Sequence, residues 1–169
     1  MRLIPLYVLA VWLLIFAETR GWTSTDQTWA DPAVTHTEDA TLSGYVGVAF
    51  AQWGAHSAIR DGGPGNDVTI TLGNAAPAAG VTRCWSVGSG HADTTHCEIV
   101  LSRTYWTYTD ETMRQRLMTH EMGHALGLGH SDAGVMCATL CSDFSDDDAA
   151  GIAALYPLPR RAFMPMVVS

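Results

Sequence analysis

The eleven residues HEMGHALGLGH, at positions 120–130, place three histidines and one glutamate close together in the chain. Spacing of four residues puts His120 and His124 on the same face of a helix, so their imidazoles can share one small cation. Zinc binds histidine nitrogen, and catalytic zinc sites use three protein ligands and leave one position open. His130 can be the third ligand if the helix ends and the chain doubles back.

Two glycines lie where that change of direction is needed. Gly127 can adopt the left-handed conformation that ends helices, and Gly129 adds freedom just before His130. Glu121 follows the first ligand directly, so we expect its carboxylate to reach a water on the metal rather than the metal. There it would act as general base and then as general acid toward a leaving amine. A structural zinc site is the alternative, but three ligands and a flanking glutamate favour the catalytic type.

Three segments have the apolar spacing and end signals of helices. Residues 43–60 carry apolar side chains at helical spacing, with Ser43 as a candidate cap. Residues 110–127 form a second predicted helix, which begins at or just before Asp110 and carries the histidine pair. Residues 145–156 form a short third helix with a serine cap and three aspartates near the positive end of the helix dipole.

The remaining patterns predict strands and loops. Residues 68–72 alternate apolar and polar side chains, and 81–87 and 97–103 are two further strand candidates joined by a loop. The glycine-rich stretch 61–67 is predicted to be a loop. The aromatic residues of 103–110 are expected in core and loop packing. One sheet with several helices indicates an α+β or open α/β domain.

The histidine cluster belongs to a longer pattern, H-E-x-x-H-x-x-G-x-x-H, which resembles that of the metzincin zinc peptidases. Its finer form, H-E-x-G-H-x-L-G-L-x-H-S, is similar to the matrixin branch. Met136 matches the methionine of the Met-turn, which underlies the zinc ligands. Residues 144–156 are similar to the matrixin C-terminal helix, and the resemblance covers most of residues 29–157.

This resemblance implies an α+β metzincin-type domain with one twisted mixed sheet, a first helix, a central active-site helix and a C-terminal helix. It implies a zinc-dependent endopeptidase that acts on proteins or peptides, with one catalytic zinc. Three features depart from the pattern: the loop from His130 to Met136 is shorter than in the animal enzymes, Cys137 follows the methionine, and no P-R-C-G-x-P-D latency segment occurs. A zinc-binding module without activity is an alternative that Glu121 argues against, and a zinc amidase acting on non-protein amides stays open.

The N-terminus carries an apolar run after a single arginine, which predicts a secretory signal peptide. No clean A-x-A cleavage site follows it, so an uncleaved membrane anchor is the competing interpretation. We therefore expect a secreted protein, associated with membranes only if this segment is retained. The predicted organisation is a signal peptide at 1–17, an entry segment at 18–28, the catalytic domain at 29–157 and a C-terminal tail at 158–169.

The chain has 169 residues, a net charge of −8 and no lysine, and its nine arginines are scattered. This distribution offers no basic face for nucleic acid. We expect a monomer.

Four cysteines in an exported chain predict two disulfides, although the sequence allows three connectivities. We expect Cys84 to pair with Cys97 across two predicted strands. Cys137 would pair with Cys141, closing a small loop after Met136. The absence of a C-x-x-C pair makes zinc binding by these cysteines the weaker interpretation.

Two polar clusters are candidates for further ions, because matrixins carry a structural zinc and calcium ions on comparable loops. Both patterns are incomplete, and ordinary polar loops explain them equally well. The candidates are His91, Asp93 and His96 for zinc, and Asp61, Asn66 and Asp67 for calcium.

A peptidase that accepts many sequences must bind the peptide backbone, and an open sheet edge does so by adding the substrate as a strand. In the matrixins this edge corresponds by chain order to residues 81–87, which contain no proline or glycine. An ordinary edge strand protected by Arg83 and the following loop is the alternative.

Overall fold

A computed structural model of the chain describes residues 23–87, 92–140 and 142–159. In that part of the chain no helix is long and apolar enough to cross a membrane. The predicted signal peptide lies outside the described residues. The elements are β1 Gln27–Thr28, β2 Ala33–Glu38, α1 Ser43–Gly54, β3 Arg60–Pro64, β4 Val68–Gly73, β5 Gly80–Val87, β6 Ala92–Ser102, α2 Arg103–Tyr108, α3 Glu111–Ala125 and α4 Asp146–Leu155.

The six strands form one mixed sheet, in agreement with the predicted α+β fold. Its strand order is β1-β6-β4-β2-β3, with β5 paired to β6. Strands β1 and β4 each pair with β6, and β2 pairs with β4 and with β3; all four pairings are parallel. Strand β5 pairs with β6 in the antiparallel direction, with Gly80 opposite Leu101. Within the described residues β5 has no second neighbour, so its outer edge is open.

The core lies between the sheet and two packed helices, α1 and α3. Helix α1 buries one apolar stripe, made by Val46, Ala49, Phe50 and Trp53. This stripe has the spacing from which the helix was predicted, and burial of its apolar area is the main stabilising contribution.

Helix α1 ends earlier than the predicted span 43–60. The side chain of Ser57 donates to the carbonyl of Trp53 at 2.9 Å, and its oxygen accepts the Ile59 amide at 3.2 Å. These bonds replace further helical turns and reverse the chain. A Cβ on Gly54 would lie 2.7 Å from the Ile59 carbonyl oxygen, so this close return needs the glycine.

Two local predictions near this helix were wrong. The first concerns its cap: Leu42 is the N-cap and no side chain caps it, because Ser43 is already in the helix. The second concerns 61–67, whose first part belongs to strand β3 at the edge of the sheet. Strand β2 approaches it so closely that a Cβ on Gly62 would lie 2.9 Å from the Val34 carbonyl carbon. Glycine therefore allows the pairing here.

The predictions for the other two helices were confirmed with their caps. The Asp110 carboxylate accepts the Met113 amide at 2.9 Å and begins α3. Ser145 and Asp148 form a capping box at the start of α4. The stretch 103–110 contains the short helix α2, which sequence patterns did not predict, and of its aromatic residues Trp106 is buried as expected, whereas Tyr108 is exposed.

Candidate active site

The end of α3 brings the third histidine back toward the first two. The Gly127 amide donates to the carbonyl of His124 and the Leu128 amide donates to that of Gly123, both at 3.0 Å. This pair of bonds is a Schellman motif, which requires a left-handed residue after the helix. Gly127 supplies it with a φ of 95°, so the predicted role of this glycine was correct. The chain then reverses and places His130 beside His124.

The three imidazoles converge on one point. The Nε2 atom of His124 lies 3.1 Å from that of His120 and 3.2 Å from that of His130. Tetrahedral zinc with Zn–N distances of about 2.0–2.1 Å separates its nitrogen ligands by about 3.3 Å. The observed spacing therefore fits a zinc ion.

The tautomers of two histidines support the same fit. Nδ1 of His120 lies 2.7 Å from the Val135 carbonyl and Nδ1 of His124 lies 2.8 Å from the Leu128 carbonyl. A carbonyl oxygen only accepts, so each Nδ1 carries the proton and donates. Each neutral imidazole then turns the lone pair of its Nε2 toward the others, an arrangement that a cation stabilises.

Burial keeps these imidazoles neutral. It lowers the pKa of His120, and together with the neighbouring His120 it lowers the pKa of His124 to about 4. Two neutral imidazoles are available as ligands at neutral pH without losing a proton.

Met136, the predicted Met-turn residue, packs against α3 at Gly123, between the first two histidines. It is buried, and a Cβ on Gly123 would overlap its sulfur and lie 2.7 Å from a ring carbon of Trp53. The glycine between the first two histidines therefore lets α3 rest directly on the methionine.

The Met-turn is attached to α4 by one carboxylate. Asp148 is 1% exposed and accepts the amides of Val135 at 2.9 Å and Met136 at 3.1 Å. It also accepts the amide and the hydroxyl of Ser145 at 2.7 and 2.8 Å. Since Val135 accepts from His120, this carboxylate supports a candidate zinc ligand through one intervening residue.

The side chain of Glu121 extends from α3 toward strand β5. The hydroxyl of Thr82 lies 2.7 Å from its Oε2 and 3.1 Å from its main-chain oxygen, and a Cβ on Gly80 would lie 2.8 Å from its Cδ. Burial raises the pKa of Glu121 to about 7, and the bond from Thr82 opposes that rise. A carboxyl group that titrates near neutral pH suits proton transfer in both directions.

These groups line one cleft of about 520 Å³. Glu121 and the three histidines are among its lining residues. The start of β5, from Gly80 to Thr82, and residues 138–140, which follow Met136, also line it. The cleft therefore joins the candidate zinc site to the open sheet edge.

Within the described residues, the three histidines are the one group of ligating side chains close enough to hold a metal. His91 lies outside these residues, and Nδ1 of His96 is bonded to the Asn66 carbonyl at 2.8 Å. In the candidate calcium cluster, Asp61 accepts the Gly63 amide at 2.7 Å. Asp67 there accepts the amide of Thr35 at 2.9 Å and its hydroxyl at 2.7 Å. These internal bonds account for both carboxylates.

Cys84 and Cys97 are joined by a disulfide across directly opposed positions of β5 and β6, the first of the two predicted pairs. Cys141 lies outside the described residues, so its pairing with Cys137 stays a prediction.

The sequence patterns did not predict two of the site residues, Thr82 and Asp148. Thr82 stands on the inner face of an alternating strand, but nothing local indicates that this face meets Glu121. Asp148 is the third of three aspartates, and its position three residues after Ser145 is a capping-box signal that could have singled it out.

The mixed sheet, the central helix and the three-histidine cluster define a metzincin-type zinc-peptidase domain. A family model described as Matrixin, of peptidase family M10, matches residues 16–157. The chain therefore belongs to the matrixin family, for which zinc is the cofactor.

The chain is similar to Matrilysin from Rattus norvegicus, with 39% identity over 105 residues, which are 56% of this chain and 33% of the relative. It thus spans about a third of that relative's length. A solved structure, the GM1-bound form of the ECX AB5 holotoxin, aligns with a TM-score of 0.54 and 15% identity, covering 83% of this chain and 86% of that one. This similarity supports the fold alone. High choriolytic enzyme 1, a hatching enzyme zinc-protease from Oryzias latipes, aligns over 68% of this chain and 52% of that one at 15% identity, with a TM-score of 0.36, too low to support a shared fold.

Proposed function

We propose that this protein is a secreted zinc-dependent metalloendopeptidase in which His120, His124 and His130 hold the zinc and Glu121 is the general base and acid. The observation that carries the proposal is the convergence of the Nε2 atoms of three histidines beside a buried carboxyl group, in a cleft open to a sheet edge. Membership of the matrixin family agrees with it.

When bound, zinc supplies Lewis acidity toward the scissile carbonyl and toward water. Glu121 accepts the proton of the attacking water and returns it to the leaving amine nitrogen. The bond from Thr82 holds one carboxylate oxygen in place, so the other is free to face the cleft. The low polarity around Glu121 strengthens its interactions during proton transfer.

The open edge of β5 suits the backbone of an extended peptide. The Ser102 amide donates to the Ala79 carbonyl at 2.7 Å, which makes that opposed pair hydrogen-bonded. Antiparallel pairs alternate, so the main-chain groups of Gly80, Thr82 and Cys84 face outward, whereas those of Trp85 face β6. The outward groups lie along the wall of the cleft, where a substrate strand would pair with them.

The activity is tested by incubating the purified protein with a denatured protein substrate, with and without a zinc chelator. We expect cleavage that stops on chelation and returns with added zinc, and His124→Ala should lose zinc and cleavage together. Binding of zinc without cleavage of any peptide would contradict the proposal and indicate a zinc-binding module. Hydrolysis of cell-wall amides without peptide cleavage would indicate an amidase.

Substrate pairing with β5 is tested by an ester scan of a cleaved peptide. Each ester replaces one backbone amide of the substrate and removes one hydrogen-bond donor. Loss of a bond worth about 1 kcal/mol should lower kcat/KM about fivefold at the positions that pair with β5. Equal cleavage at every ester position away from the scissile bond would show that the edge is not used.

Export is supported by the apolar N-terminus and by the Cys84–Cys97 disulfide, which suits an oxidising compartment. The test is expression of the full chain followed by N-terminal sequencing of protein from the medium. We expect a chain that has lost about its first 17–22 residues, as a signal peptide implies. Full-length protein retained in the membrane fraction would indicate an anchor instead.

A further inference from the structure

We propose that residues 23–27, here called the N-terminal strap, position His130 and thereby set the affinity of the zinc site. The inference rests on the proposed function, since it concerns the same three histidines. The strap lies against residues 127–130, which link the end of α3 to the third histidine.

The strap pairs with this link as a short antiparallel ladder. The Thr25 amide donates to the Gly127 carbonyl at 2.9 Å, and the Gly129 amide donates to the Thr23 carbonyl at 2.8 Å. Between these bonds Ser24 and Leu128 form an antiparallel bridge. Main-chain bonds therefore fix the link on both sides of its centre.

Two side chains of the strap add bonds to the same link. The hydroxyl of Thr23 donates to the main-chain oxygen of His130 at 2.8 Å, and that of Thr25 donates to the Gly127 carbonyl at 3.2 Å. The first of these bonds reaches the third histidine itself. His120 belongs to α3, whereas His130 is exposed and follows the helix on an irregular segment. Its position therefore depends on what the link is attached to.

The strap also explains why the link needs two glycines. A Cβ on Gly129 would overlap the Thr23 hydroxyl, and a Cβ on Gly127 would overlap the Gln27 carbonyl oxygen. Gly127 has a second reason to be glycine, its positive φ. Gly129 does not have a positive φ, so alanine can adopt the backbone conformation found there. An alanine at this position therefore changes only the contact with the strap. Gly129 is therefore the clean position for a test.

One consequence concerns processing of the N-terminus. A chain that begins at or before Thr23 keeps every bond of the strap. A chain that begins after Thr25 loses all of them and should bind zinc more weakly. The position of the mature N-terminus would then control the metal site.

The test measures the zinc dissociation constant of the full chain by competition with a chromophoric chelator. Groups that orient metal ligands typically change metal affinity by about 10–100-fold, so Gly129→Ala should weaken zinc binding at least about tenfold. Thr23→Ala removes one hydrogen bond and should weaken it about fivefold. In the double variant the clash is gone, so its affinity should return to nearly that of Thr23→Ala.

Ser24→Ala is the matched control, because the Ser24 hydroxyl bonds within the strap, to the Asp26 amide at 2.9 Å. It should bind zinc as the parent does. If Gly129→Ala fails to fold, Thr23→Val, which keeps the side-chain volume and removes the hydroxyl, must still weaken zinc binding.

Unchanged affinity in Gly129→Ala would overturn the inference, as would a double variant whose loss is the product of the two single losses. A parent that binds no zinc would overturn the proposed function and this inference with it. A parent that binds zinc while the strap variants also bind it fully would overturn the inference alone.

Discussion

Replacement of Asp148 by alanine should be among the most destabilising single changes in this domain. The carboxylate is 1% exposed and accepts four hydrogen bonds of 2.7–3.1 Å. Two of the donors are the amides of Val135 and Met136, which are themselves buried residues. In Asp148→Ala these amides keep their burial and lose their acceptor.

The magnitude follows from those two amides. A buried donor without an acceptor costs about 1–3 kcal/mol, so the pair costs about 2–6 kcal/mol. The Ser145 groups lie nearer the surface and recover part of their bonding from water. We therefore expect a loss of about 3–5 kcal/mol, a large fraction of the roughly 5–15 kcal/mol typical of a whole domain.

The assay is urea unfolding followed by tryptophan fluorescence, with saturating zinc and again with a chelator. Asp146→Ala is the control, because it removes an exposed aspartate from the same first turn and should cost about 0.3–1 kcal/mol. Asp148→Ala should also bind zinc more weakly, since the Val135 carbonyl orients His120. Free energies of unfolding that agree within about 1 kcal/mol for the two variants would refute this account of the Met-turn.

Four other predictions have expected outcomes. Glu121→Gln should keep its zinc and lose about 10²–10⁴ in kcat; full activity would place the base elsewhere. Thr82→Val should lower kcat about tenfold with KM little changed, because it loses one charge-assisted hydrogen bond of about 1.5 kcal/mol. Thr82→Ser keeps the hydroxyl and should restore kcat. An equal loss of kcat in both variants would indicate a structural role for Thr82. Burial raises the pKa of Tyr156 to about 12 from about 10 unfolded, so this residue should cost the parent about 2 kcal/mol of stability as the pH rises from 10 to 12, a loss that Tyr156→Phe should not show; parallel stability curves would contradict this. Peptide mapping without reduction should find Cys137 joined to Cys141, and any other partner for Cys137 would refute that pairing.

Features that depend on neighbouring residues could be predicted from the sequence. The caps at Asp110 and Ser145, the extent of α4, and the glycine turn at Gly127 follow from bonds within a few residues. The convergence of His120 and His124 follows from helical periodicity alone. The alternating strand at 68–72 also matches β4.

Features that depend on distant residues were decided by the tertiary structure. Strand β3 is rich in glycine and has no local strand signal, and it forms because β2 offers a parallel edge at close approach. Thr82 meets Glu121 across 39 residues of sequence, and Thr23 meets His130 across 107. Such contacts depend on how sheet and helices pack, so no spacing in the chain encodes them. The sequence by itself determined which residues can bind a metal, and packing determined which groups hold those residues in position.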